Sequence, residues 1–140
     1  MGRLDIQFLD QGLHRVLFDA MPMPAFVVDS DVNILECNAA AARLLKNKRQ
    51  TRKLQRGGDI LQCLHVTDSP EGCGHSAACT RCELREAVNE AFRGVPVTRR
   101  WAAMELKQHS KPAKVNLRVS CQPITYGKSA FVLLVLEGLN

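Results

Sequence analysis

A chain of 140 residues, 46% hydrophobic and 24% charged, has room for one domain whose core holds without disulfides or a metal. No apolar run approaches the roughly 20 residues of a bilayer crossing, and the opening MGRLDIQFLDQGLHRVLFDA mixes acids, bases and apolar residues unlike a secretory signal, so a cytoplasmic protein with no membrane segment is expected. The net charge of +5 is gathered in residues 43–56, RLLKNKRQTRKLQR, which hold seven bases and no acid; without an aromatic residue for base stacking this reads as a solvated face, and nucleic acid is not an expected partner.

Ile6, Leu9, Leu13, Val16 and Leu17 recur at helical spacing and predict an amphipathic helix over residues 3–19, with Gly12 inside it at some cost. MPMP at 21–24 stops it, since proline lacks the amide donor. That unit, residues 1–20, carries an apolar stripe that needs a partner, either the domain's own sheet or a second copy of the chain. AFVVD and VNILEC follow as two β-prone runs joined by a turn at Asp29, Ser30 and Asp31. Asn38 then caps the helix former AAAARLLK.

The basic stretch and GGD lead into residues 63–82, CLHVTDSPEGCGHSAACTRC. Thr80 and Glu83 have the spacing of a capping box, which places Cys82 in the first turn of a helix, where the dipole favours a thiolate. Leu84, Ala87, Val88, Ala91 and Phe92 give that helix an apolar face, and Gly94 and Pro96 end it. The remainder is β. VPVTRRWAAMELK, with Trp101 as strand packing, runs to a turn at QHSKP, and Val115, Leu117, Val119 and Cys121 alternate with polar residues as a half-buried strand. After a turn at TYGKS, AFVLLVLE is apolar on both faces, as a central strand would be. The inner face of the sheet is expected to include Phe26, Val28, Val119, Cys121 and Leu133. His14 and His109 read as surface residues.

Two strands, short helices, one longer helix and three antiparallel strands is an order that resembles a PAS domain. MPMPAFVVDSDVNILECNAAAARLL is similar to the PAS opening, in which a small apolar strand reaches an Asp and a second strand ends in Asn before an alanine-rich helix. NLRVSCQPI and AFVLLVLEGLN are similar to the closing hairpin, although the acid-rich exit is degenerate at Leu136, Glu137, Gly138, Leu139 and Asn140. The resemblance spans residues 21–137, within a domain of residues 21–140 that follows the helix of residues 1–20. It implies an α+β PAS fold: a five-stranded antiparallel sheet with helices on one face. It also implies a sensory input role, dimerisation through the preceding helix, and an output domain outside this chain, such as a histidine kinase, a cyclic-dinucleotide enzyme or a transcription regulator.

Among cofactors known in such domains, flavin is argued against because DILQCLH around Cys63 does not match the reactive-cysteine motif. Haem is argued against because no His lies between Glu83 and Phe92, and no C-x-x-C-H is present. The thiols remain. Cys79-x-x-Cys82 is a chelating pair, Cys73 sits between Gly72 and Gly74, and Cys63 approaches from the preceding run. These four can hold zinc or an iron–sulfur cluster, with His65 or His75 as substitute ligands. The alternatives, in order, are switching between thiol and disulfide and inert packing; Cys37 and Cys121 read as small core hydrophobes. Two readings stand: an input domain sensing redox state, oxygen or metal through the four cysteines, and a dimerisation or protein-interaction module whose cysteine loop is structural. No nucleotide loop, Ser–His–Asp signature or transmitter histidine motif points to an enzyme.

Overall fold

A glycine and a proline bound the first helix. In the computed structural model, which describes residues 12–43, 82–108 and 111–138, Gly12 takes φ +109°, outside the helical region. The regular helix α1 therefore starts beyond it and spans His14–Ala20. Gly12 and Leu13 form a wider π-type turn ahead of it, and the rest of the helix expected over residues 3–19 lies outside the described residues. Met21, with ψ 131°, is extended, as the residue before a proline is pushed to be. Leu13 and Phe18 are half-buried, while Val16 and Leu17 are 63% and 56% exposed.

The expected hairpin forms from β1, Ala25–Val28, and β2, Ile34–Cys37, and is followed by α2, Ala39–Ala42. The longer helix α3, Glu83–Phe92, precedes β3, Val97–Gln108, β4, Lys111–Tyr126, and β5, Ser129–Glu137. The five strands make one antiparallel sheet in the order β2-β1-β5-β4-β3. β5 lies at its centre between β1 and β4, which is why its sequence is apolar on both faces.

α3 lies on one face of this sheet. Its Leu84, Ala87, Val88 and Ala91 are buried together with Phe26, Val28, Val119, Cys121, Leu134 and Leu136 from the strands. Gly94, at φ +91°, turns the chain off the helix end and into β3. Leu133 is a correction to the expected inner face. It pairs with Val27 and Gln122 on the opposite face and is only half-buried, while Val132, Leu134 and Leu136 point inward. A strand apolar at every position carries no phase of its own, so only pairing with its neighbours decides which set of alternate residues faces the helix. Trp101 is likewise on the outer face, 56% exposed, with the Arg118 guanidinium 4.1 Å from its ring centroid.

Asn38 ties these parts together. Its side chain is fully buried. Its Oδ1 accepts from the amide of Ala25 at 3.0 Å and from that of Ala41 at 2.9 Å, and its Nδ2 donates to the carbonyl of Met23 at 2.9 Å. The same residue's backbone amide donates to Ala25 O at 3.0 Å. One side chain thus caps α2, starts β1 and holds the proline segment. Asn38→Ala is expected to lower folding stability by roughly 2–4 kcal/mol, the sum of a lost helix cap and of buried backbone groups left unpaired. Urea denaturation measures it, and a loss under about 1 kcal/mol would show that the buried groups find other partners.

Candidate functional site

The cysteine segment meets the described fold at Cys82, and the chain's local geometry sets how. Cys82 has φ −69° and ψ 115°, so it is the residue that precedes α3 rather than a residue of its first turn. Its carbonyl accepts the first helical bond, from the amide of Glu86 at 3.0 Å. The thiol is half-buried and packs against the hydrophobic core. Cys63, Cys73 and Cys79, together with His65 and His75, lie outside the described residues, so their convergence on Cys82 belongs to what is proposed below. Among the described residues, no three His, Cys, Asp or Glu side chains gather to hold a metal ion.

The capping box takes a different form from the expected one. Thr80 lies outside the described residues, and the Glu83 carboxylate reaches away from the helix end to accept from the Ala103 amide at 3.2 Å. Ala103 is on β3, an edge strand, and its amide points away from β4. A helix acid thus satisfies an edge amide that would otherwise be left to water, and so ties the start of α3 to the sheet. At the other end of the helix, Glu90 holds Arg100 of β3 through both carboxylate oxygens. The hydrogen bond from Arg100 holds the Glu90 carboxyl below its ordinary range.

Arg85, in the first turn of α3, makes a third attachment. Its guanidinium donates to Asp31 Oδ1 at 3.1 Å and to the Asp31 carbonyl at 3.2 Å. This fork grips the β1–β2 turn from a position 54 residues away in sequence. Sequence reasoning missed this pair because neither residue belongs to a motif, and no local pattern links a turn acid to a distant helix base. Arg15 of α1 forms a comparable bridge, from Glu36 Oε1 at 2.6 Å and the Cys37 carbonyl at 3.0 Å to Asp19 on its own helix. The other two described thiols are placed as the sequence suggested. Cys121 is buried on the inner face and Cys37 is half-buried beside the core, and burial pushes both thiols up.

A family model described as a PAS domain matches residues 12–81, half of the chain. Solved structures share the fold at low identity. A PAS domain from a two-component sensor histidine kinase superposes with a TM-score of 0.57 at 10% identity, covering 95% of this chain and 99% of that one. The PAS domain of nitrogen regulation protein NR(II) from Vibrio parahaemolyticus gives 0.56 at 14% identity, covering 91% and 98%. The PAS domain of BvgS from Bordetella pertussis gives 0.51 at 19%, covering 94% and 87%. A comparison with curated protein sequences finds no match.

Burial places the Cys121 thiol at about 12 against an ordinary 9.0, so the neutral form is the folded one. Its contribution to stability is complete below the ordinary value and is lost as pH rises from 9.0 toward about 12, because the unfolded chain ionises first. Thermal unfolding midpoints across that window are expected to fall more steeply for the native chain than for Cys121→Ala. Parallel falls would place Cys121 in contact with water.

Proposed function

The chain belongs to the PAS domain family, and on that premise we propose that it is a signalling input domain whose cysteine segment senses redox state, oxygen or metal. One observation carries the reading: Cys82, the last thiol of the segment, is the residue from which α3 springs, and α3 is the helix that covers the inner face of the sheet. Four thiolates drawn from Cys63, Cys73, Cys79 and Cys82, with His65 or His75 able to replace one, suit zinc or an iron–sulfur cluster. A disulfide between two of them is the other chemistry the set supports. Either event changes what holds the start of α3, and with it the ties from Glu83 to β3 and from Arg85 to the hairpin turn.

The domain passes its state to an output domain; the origin of one structural neighbour in a two-component sensor histidine kinase supports this reading. It works as a homodimer in the cytoplasm and performs no catalysis itself. Exposed Val16 and Leu17 on α1 support the dimer, since an apolar stripe left in water is unfavourable. The same exposure favours a second reading, in which the domain is a dimerisation or protein-interaction module with a structural cysteine loop.

Metal analysis and absorption spectra of anaerobically purified protein separate the two readings. Cys82→Ser is expected to abolish metal content or disulfide formation while leaving the unfolding transition of the core in place. Native protein that carries neither metal nor a reversible disulfide would leave the interaction module as the function. Leu9→Asp combined with Leu13→Asp is expected to shift sedimentation toward the monomer, and an unchanged dimer would remove the first helix from the interface.

A further inference from the structure

The β1–β2 turn holds a conformation that its own residues disfavour. Val32 takes φ +61°, a left-handed conformation in which a β-branched side chain crowds its own backbone. Its side chain is nonetheless 1% exposed and part of the core. Its amide donates to Asp29 O at 3.0 Å, and Asp29 Oδ1 accepts from the amides of Asp31 and Asn33, each at 2.9 Å. Local bonds therefore close the turn around a strained residue, and the residue just before Val32 is the one Arg85 grips.

That grip comes from outside the hairpin. Arg85 binds both the carboxylate and the carbonyl of Asp31; its own side chain is only 15% exposed while that of Asp31 is 47% exposed, so the guanidinium is shielded from water and the carboxylate faces it. A fixed carbonyl at residue 31 restricts the peptide that joins Asp31 to Val32, whose orientation depends on the φ of Val32. Beyond the turn the chain runs directly into β2, where Glu36 and the Cys37 carbonyl hold Arg15 of α1. On the other side, Arg85 stands three residues after Cys82.

We propose that residues 29–33 are a strained latch, held at the positive φ of Val32 by the Arg85 fork. Loosening the start of α3 lets the turn relax, shifts β2, and so alters the hold of Glu36 and Cys37 on α1. Relaxation of one residue between two backbone wells is a two-state event, which is what a relay between separated elements requires. The latch does not depend on which chemistry the cysteine segment carries.

The test uses the whole chain, with Arg85→Leu, Val32→Gly and the two combined. The one-bond Cα–Hα coupling of Val32, which distinguishes positive from negative φ, is expected to change in Arg85→Leu. Hydrogen exchange at the Asp31 and Asn33 amides is expected to quicken about tenfold, as local opening becomes easier. Amide shifts of Glu36 and Cys37 move in the same variant. In the combined variant, exchange is expected to stay within about twofold of Val32→Gly alone, since glycine takes the left-handed conformation without strain and needs no latch. If Arg85→Leu does not fold, Arg85→Lys keeps the charge and loses the fork, and a smaller change in the same direction is expected. Native exchange and coupling in the folded arginine variants, unmoved Glu36 and Cys37 amides, or a glycine that fails to suppress the change would each overturn the proposal.

Discussion

The buried Asn38 amide is the constraint on which the other parts rest. It joins the proline segment at Met23, the first residue of β1 and the first turn of α2 through three hydrogen bonds from one side chain. No apolar residue of similar size replaces it, because the Ala25 and Ala41 amides are buried backbone donors that must be satisfied. β1 in turn sets the register of the central strand. Phe26 and Val28 lie opposite Leu134 and Val132, and Leu136 donates its amide to the Pro24 carbonyl. The phase of β5, and so the composition of the inner face, follows from where Asn38 starts β1.

Polar ties are distributed unevenly around this core. Arg15–Asp19, Arg15–Glu36 and Arg99–Glu137 all have at least one partner well exposed, and pairs of that kind contribute little to stability. Arg85–Asp31 also has an exposed partner in Asp31, but its guanidinium is shielded and binds a backbone carbonyl as well as the carboxylate. Glu83–Ala103 differs because it serves a main-chain donor on a sheet edge. Both lie at the start of α3, where the cysteine segment enters the fold, and the Glu90–Arg100 pair ties the other end of the helix to β3.

That arrangement makes the start of α3 the point at which a local chemical event would be felt widely. The helix is packed along one face by small and branched residues, Ala87, Val88 and Ala91, which leave little slack against the strands. A tightly packed helix does not deform gradually; it responds by changing its attachments. The attachments available are the Ala103 amide and Arg100 of β3 at one side and the hairpin turn at the other.

The sequence by itself determined the order of elements, the cap at Asn38, the inward set of β4, the apolar face of α3 and its end at Gly94. Each of these rests on neighbours in the chain: a side chain that reaches an amide three residues on, or a period of 2 or 3.6 that marks one face. The candidate thiols were legible for the same reason, as a cluster within twenty residues. What the tertiary structure alone decided depends on partners distant in sequence. Leu133 moved to the outer face because pairing with Val27 and Gln122, not its own apolar run, set the phase. Glu83 left the expected capping box because an unpaired edge amide on β3 lay within its reach. Val32 took a left-handed turn, and Arg85 found Asp31, because the helix packs across the hairpin and brings a base to an acid 54 residues away. Local rules are written in spacing along the chain, and contacts of this kind exist only once the sheet has brought the segments together.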